Sequence, residues 1–483
     1  MTSEPPQSAT IYALSSAPGR AGVAIVRVSG SHAGMVLNVM TPQRPKPRVA
    51  GGRRILHPKT GEVLDRGIVL WFPHPNSFTG EDVAELQLHG GRAVVAAVLE
   101  ALGEIPGLRM AEPGEFARRA FDNGKIDLAQ AEGLADLIDA ETEGQRRQAL
   151  RQASGALSSL YESWRTALID ASALVEAAID FSDEGDVGAR SFDQARGIVE
   201  TLLPAIRHHL DDGHRGEILR DGFHVVLAGA PNVGKSSLLN ALARREAAIV
   251  SEEAGTTRDV IEVRLDLGGV PVIVSDTAGI RETSGAVERE GIRRTMARAR
   301  EADLVIWLTD PTDPQHTPPE DLRDLADRTL LVLNKADQLA PKPVSHPGEG
   351  GQLPLGLDNA DQAAGDSAGA PAGSANGVLL PDDMIAISAL TGAGISSLVA
   401  RIGGIARERV GNLDEPAITQ VRHRRMIEMT ARGLETFLRE PPYQVEIRAE
   451  DLRASVAALG RITGRVDVED VLDQVFGRFC IGK

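Results

Sequence analysis

Residues 229–237 read GAPNVGKSS, and Gly229, Gly234, Lys235 and Ser236 meet the spacing G-x-x-x-x-G-K-[ST]. The run HVVLA before them reads as a buried strand, and SLLNALARR after them reads as a helix. Strand, glycine loop and helix together form a phosphate cradle, which the bare spacing alone does not. The glycines let backbone N–H groups close around a β-phosphate, and the helix N-terminus adds the positive end of its dipole. Lys235 supplies a charge for the β- and γ-phosphates, and the Ser236 hydroxyl can ligate Mg²⁺. A chain with this stretch must build an α/β nucleotide domain around it.

The following motifs choose the nucleotide. GTTRD at 255–259 offers Thr257, or Thr256, as a hydroxyl able to reach Mg²⁺ when a γ-phosphate is present. The strand VPVIVSD runs into DTAG at 276–279, where Asp276 can hold Mg²⁺ and the Gly279 N–H can meet the γ-phosphate. DLVIWLTD is a further buried strand, and LLVLNKAD sets Asn334, Lys335 and Asp337 at a strand end. The Asp337 carboxylate matches the paired N–H donors of guanine, which adenine lacks, so the wrong base leaves it unpaired. MIAISAL at 384–390 completes the base pocket. Each tetrapeptide alone is weak, but five in order within strand contexts define a GTPase. Ile280 stands where many such enzymes place a water-orienting Gln, so another group must orient water; Glu282, Glu288 and Glu290 follow it. Asn232, inside the loop, offers an oxygen to a monovalent cation beside the phosphates.

At 483 residues the chain requires several domains. Its net charge of −16 argues against a surface coated for non-specific nucleic-acid binding, while leaving room for local basic patches. A single cysteine, Cys480, excludes an intrachain disulfide framework and suits a reducing cytosol. No signal peptide or membrane-length apolar run is visible, so a cytoplasmic protein is expected. Residues 1–125 mix short strands with the amphipathic helix RAVVAAVLEALG, an α+β domain. Arg27 and Glu85 interrupt apolar strands and Lys125 precedes a helix; they face solvent or a structural partner, or line a small-molecule pocket. Spacing leaves these readings open.

Residues 126–221 are helical, with a three- and four-residue repeat from Leu128 running on through Ile179. A further helix follows, with Ser191 or Asp193 as its N-cap. The nucleotide domain spans 222–406, and its stretch 341–381, dense in Gly, Ala, Pro and Asp, reads as a disordered insertion. Residues 407–483 bring two more helices. Arg422, His423, Arg424 and Arg425 there form a solvated face or touch RNA phosphate, and no GxxG-centred RNA-binding pattern is present.

PGRAG (18–22), SFTGEDVAELQLHGG (77–91), PGEFARRAFDNGKIDLAQAEGLADLIDA (113–140) and the terminal FCIGK (479–483) resemble the MnmE (TrmE) family of tRNA-modification GTPases over nearly the full chain. The resemblance implies a multidomain fold: an α+β tetrahydrofolate-binding-like N-terminal domain, an all-α helical domain, and an inserted α/β P-loop GTPase domain. It places Arg27, Glu85, Lys125 and Lys483 at the positions contacting a 5-formyl- or methylene-tetrahydrofolate derivative. Its GTP-binding positions fall on Asn232, Val233, Gly234, Lys235, Ser236, Ser237, Ser251, Glu253, Thr256, Thr257, Asp276, Thr277, Ala278 and Gly279. They continue at Asn334, Lys335, Asp337, Ser388, Ala389 and Leu390. Mg²⁺ goes to Ser236 and Thr257, K⁺ to Asn232, Ser251, Glu253 and Thr256, and the water-orienting role to Glu288. The implied activity is K⁺-stimulated GTP hydrolysis by a homodimer joined through its GTPase domains. With an FAD-containing partner, in a heterotetramer, it adds an aminomethyl or carboxymethylaminomethyl group to C5 of the tRNA wobble uridine. Ala21 departs from a frequent family Gly, and Ser251 and Glu253 differ in side chain from common family residues. An Era-like ribosome-assembly switch is the alternative, and it calls for an RNA-binding appendage that the sequence lacks.

Overall fold

The computed structural model of the chain describes residues 9–180, 185–212, 214–245, 247–249, 262–276, 297–311, 320–339, 384–411, 415–439, 445–466 and 469–482. It divides into two compact units. One comprises Met1–Ala140, Gln145–Glu217 and Asn412–Lys483; the other comprises Glu141–Gly144 and Ile218–Gly411, so the second is inserted in the first. The expected insertion at 341–381 lies outside the described residues.

The first unit opens with β1 (Thr10–Leu14), β2 (Ala21–Ser29), α1 (Ala33–Met40), β3 (Gly51–Leu56), β4 (Val63–Phe72), β5 (Val83–Gly90), α2 (Arg92–Gly103) and β6 (Leu108–Met110). The strands form one sheet in the order β3-β4-β5-β2-β1-β6, antiparallel except for β1 with β6. In β5, Ala84, Leu86 and Leu88 are buried while Glu85 and Gln87 are less so, the period of two that puts one face on a core. That core gathers Val26, Val28, Leu37, Leu86, Leu88 and Leu102, so α1 and α2 cover this face. Each such side chain stabilises the fold by about 1.5–3 kcal/mol.

Helices then take over: α3 (Glu115–Asp122), α4 (Leu128–Ile138), α5 (Glu143–Ala153), α6 (Ala156–Asp180) and α7 (Gly185–Leu210). A capping box starts α4: the Asp127 carboxylate accepts from Gln130 N at 2.8 Å, and Asp127 N donates to Gln130 Oε1 at 2.9 Å. The repeat expected to run on from Leu128 is divided among three helices. Gly155, at φ 88, ends the second of them with a backbone angle that closes no further helical turn. Ser191 and Asp193 are not N-caps, because α7 is already under way at Gly185.

The inserted unit contains α8 (Arg215–Asp221, which begins in the first unit), β7 (Phe223–Gly229), α9 (Lys235–Ala243), β8 (Glu262–Asp266), β9 (Pro271–Asp276), β10 (Leu304–Thr309), β11 (Thr329–Leu333), β12 (Ile385–Ala386) and α10 (Ile395–Val410). Its sheet order is β12-β11-β10-β7-β9-β8, parallel except for β8 with β9. Strands buried on both faces, as in VVLA of β7, are what a parallel sheet covered by helices requires.

The chain returns to the first unit with α11 (Val421–Arg439), α12 (Val445–Thr463) and α13 (Glu469–Phe476). Leu157, Tyr161, Trp164, Leu168, Ala171 and Val175 alternate four- and three-residue steps along α6 and are all buried. They share a core with Leu203 and Ile206 of α7, Leu434 and Phe437 of α11, and Leu452 and Leu459 of α12. The helices before and after the insertion therefore fold as one body. Phe476 and Phe479 join Ala117, Leu128 and Ala131, which ties the end of the chain to α3 and α4.

The basic run at the start of α11 departs from both sequence readings. His423 is 0% exposed and Arg424 8%, so neither belongs to a solvated face or meets a phosphate. Arg422 Nη2 lies 3.0 Å from Glu132 Oε2, and His423 Nε2 lies 2.7 Å from the same oxygen. Arg424 donates to Asp212 at 2.9 Å, to Glu217 at 3.0 Å and to the Leu210 carbonyl at 3.0 Å. Of the four, Arg425 alone is exposed. Buried guanidinium groups need such fixed partners, because an unpaired buried charge is strongly disfavoured.

Candidate functional site

The phosphate loop follows β7 and leads into α9 through three unusual backbone angles: Gly229 at φ 143, Asn232 at φ 62 and Gly234 at φ 101. A Cβ at Gly229 would stand 2.3 Å from the Leu308 carbonyl oxygen. At Gly234 it would stand 2.2 Å from Asn334 Nδ2, so only glycine lets the two loops meet. Asn334 is 2% exposed and joins three segments. Its Nδ2 donates to the Val233 carbonyl at 2.8 Å, and its Oδ1 accepts from Ala389 N at 3.0 Å. Ser388 donates to Asp337 Oδ1 at 2.5 Å and accepts from Thr391 N at 3.1 Å, which holds the carboxylate in one orientation.

At the phosphate end, Lys235 Nζ donates to the Gly229 and Ala230 carbonyls, each at 3.0 Å. The ammonium is thus held over the loop that is to receive a phosphate. Ser236 Oγ donates to Asp276 Oδ2 at 2.7 Å, and Asp276 is 2% exposed. A hydroxyl and a carboxylate converging this way supply the hard oxygen donors that Mg²⁺ selects, so the residues fit that ion. Asn232, Val233, Gly234, Lys235, Ser236, Ser237, Asp276, Asn334, Lys335, Asp337, Ser388, Ala389 and Leu390 all lie within the described part of this unit, with Leu390 87% exposed. Ser251, Glu253, Thr256, Thr257, Thr277, Ala278, Gly279, Ile280 and Glu288 lie outside the described residues.

A second constellation belongs to the first unit. Arg27 of β2 and Glu85 of β5 are directly opposed in the antiparallel register, and Arg27 Nε donates to Glu85 Oε1 at 3.0 Å. The two side chains are 21% and 17% exposed, and the guanidinium lies 5.5 Å from the Phe78 ring centre and 5.7 Å from that of Phe116. The two expected charges are thus partners of each other, and neither stands alone in its strand. Lys125 packs along Gly80, where φ is +78 and an added Cβ would stand 3.2 Å from Lys125 Cγ. Asn123 Nδ2 holds the same turn through the Thr79 carbonyl at 2.8 Å.

The chain end reaches this sheet as well. Ile481 bridges Pro113, Ser15 Oγ donates to the Gly482 carbonyl at 2.7 Å, and a Cβ on Gly482 would stand 2.0 Å from the Leu14 carbonyl. Leu14 follows Ala13, which pairs with Arg27 across β1 and β2. Lys483 lies outside the described residues.

Sequence reasoning missed a network beside this constellation. Arg119, 7% exposed, donates to Glu81, to Glu115 and to the Ala9 carbonyl, while Ser29 donates to Glu81 at 2.6 Å and contacts Thr79 at 2.7 Å. The signal was the pair of acidic residues in TGED and PGEF, each close in sequence to an expected site residue. Glu115 is half-buried, which works to raise its pKa, yet its bonds to Arg109, to Glu112 N and to Arg119 bring the net shift below the usual carboxylate value.

A glycine loop at a strand end, a Ser–Asp oxygen pair and an Asn-bridged base pocket together define a P-loop GTPase. Residues 128–480 match the family described as the MnmE helical domain, and residues 10–125 match that of the GTP-binding protein TrmE N-terminus. The tRNA modification GTPase MnmE of Parvibaculum lavamentivorans is 51% identical over 98% of this chain and 100% of its own length. That of Paramagnetospirillum magneticum is 49% identical over 99% and 100%. The chain belongs to the MnmE family of tRNA modification GTPases. Among solved structures, Aquifex aeolicus Era bound to GDP and AlF4⁻ is 22% identical, covering 45% of this chain and 68% of that one at a TM-score of 0.26. The family shown by the full-length relatives replaces the Era-like alternative. Among the described residues, no helix is long and apolar enough to cross a membrane.

Proposed function

We propose that this chain hydrolyses GTP to drive C5 modification of the tRNA wobble uridine, using a one-carbon unit carried on tetrahydrofolate. The observation that carries the folate reading is the Arg27–Glu85 pair, in register across two strands, with the Arg27 guanidinium near the Phe78 and Phe116 rings. A pterin presents amino and N3–H donors to a carboxylate and flat faces to aromatic rings, and its glutamate tail seeks cations. Glu85 would take the pterin edge, while Arg27, Lys125 and Lys483 would hold the remaining acceptors. The course of residues 480–482 along Leu14 and Pro113 supports including Lys483. When bound, the folate supplies the carbon that is transferred.

On the GTPase side, Ser236 and Thr257 would ligate Mg²⁺, and Asn232, Ser251, Glu253 and Thr256 would seat K⁺ beside the phosphates. Glu288 would orient the attacking water in place of the Gln that Ile280 replaces. GTPase units would pair in a homodimer, and an FAD-containing partner protein would complete a cytoplasmic heterotetramer acting on tRNA. The corresponding domain division is 1–125, 126–221, 222–406 and 407–483.

Calorimetric titration of the full chain with 5-formyl-tetrahydrofolate tests the folate assignment. Glu85→Gln removes the charge from hydrogen bonds worth about 1.5–3 kcal/mol, so affinity should fall by roughly tenfold or more. GTP hydrolysis should be unchanged. Equal affinity in wild type and variant would remove Glu85 from the site, and no binding by wild type would remove the folate.

A further inference from the structure

Lys335 occupies the left-handed region, φ 58 and ψ 33, where a side chain other than glycine or asparagine is rare. Such an angle persists only where the surroundings fix it. Asn334 N donates to the Thr309 carbonyl at 2.8 Å, extending the β10–β11 ladder one step beyond the Thr309–Leu333 pair. That step sets Asp310 abreast of the Asn334–Lys335 corner. Lys335 Nζ then lies 2.6 Å from Asp310 Oδ2, with the carboxylate side chain 11% exposed and the lysine 31%.

We infer that Asp310 is a positioning residue for guanine-nucleotide binding, acting through Lys335. Lys335 sits between Asn334, which ties down the phosphate loop, and Asp337, which is oriented by Ser388 toward the base. A free lysine there samples many rotamers and follows its hydrated ammonium into solvent. Anchored at its tip by Asp310, it presents its apolar stem as a fixed wall against which a purine face packs. The neighbouring backbone corner is held in the same stroke, so Asp337 keeps its aim without touching Asp310. The role is specific to the base end of the site, because Lys235, Ser236 and Asp276 govern the phosphates through separate bonds.

The inference rests on GTP binding at this site, and wild-type binding of GDP is the control that separates the two. Asp310→Asn keeps an acceptor oxygen in place and removes only the charge, so contacts of this side chain that do not need the charge survive. In the full chain, Asp310→Asn should weaken GDP binding roughly tenfold, with faster release and an unchanged kcat at saturating GTP. In a Lys335→Ala background the same change should cost less than about twofold, since its partner is gone. Asp310→Glu, which keeps the charge, should recover part of the affinity. Unchanged GDP affinity in Asp310→Asn would overturn the inference. So would an equal loss in both backgrounds, since Asp310 would then act on the fold and not through Lys335. A matching fall in the melting temperature of the nucleotide-free Asp310→Asn chain, without the coupling, would overturn it for the same reason.

Discussion

Asn334 and Gly234 each explain the other. The amide needs a backbone with no Cβ to approach, and the glycine needs a neighbour that uses the space. Both were legible in the sequence as motif letters, but their contact was not, since they are a hundred positions apart and meet only in the folded sheet. The proposed role of Glu288 is also tested at the level of one side chain. Without it the attacking water loses its orienting group while the cradle around the phosphates stays intact. Glu288→Ala should therefore bind GTP as wild type does and lose roughly 10²-fold or more in kcat. Single-turnover hydrolysis and nucleotide binding measured side by side check this, and full-speed turnover would move the role to another residue.

Among the elements, α11 shows where pattern reading falls short. Its charges lie N-terminal to an amphipathic stretch, which in sequence alone looks like a solvated end or a phosphate contact. Partners at 132, 212 and 217 turn the same charges inward, and no local rule anticipates pairs that distant. Arg424→Ala leaves Asp212 without a guanidinium in a buried site and should cost about 3–5 kcal/mol in denaturant unfolding. Arg425→Ala, on the exposed face, should stay within about 0.5 kcal/mol. Equal effects at the two positions would contradict the buried network. By contrast, α2 was legible to the residue, because RAVVAAVLEALG is a strong helix former flanked by glycines. The start of α7 was not legible, because Ser191 and Asp193 look like caps while Phe192 packs on Phe437, a tertiary contact that outweighs local preference.

The same helical body predicts a pH response. Burial lowers the His209 pKa to about 4, against an ordinary value of 6.5, and its ring packs on Tyr161 and Trp164. The folded state therefore binds fewer protons than the unfolded chain between those values, so stability present above pH 6.5 is lost as pH falls toward 4. Burial works to raise the Glu132 pKa, but His423 and then Arg422 hold it down at about 2, so a further loss sets in below 4.5. Unfolding free energies from denaturant titrations between pH 8 and pH 4 should fall by up to about 1.4 kcal/mol per pH unit from His209. His209→Gln should flatten that part of the curve, and an unaltered slope would remove His209 as its source.

For the whole molecule, the insertion of 218–411 between residues 217 and 412 is the organising fact. The sequence showed it as helical pattern on either side of a complete set of GTPase motifs, and the shared core of α6, α7, α11 and α12 is its physical expression. In the proposed function, the inserted GTPase serves a one-carbon chemistry housed in the other unit, with tRNA as substrate. Mass analysis of wobble uridines in tRNA from cells lacking this chain is the sharpest test of that coupling. The C5 modification should disappear, return with the wild-type chain, and fail to return with either Lys235→Ala or Glu85→Gln. Unchanged modification in its absence, or full restoration by both variants, would contradict the proposed function.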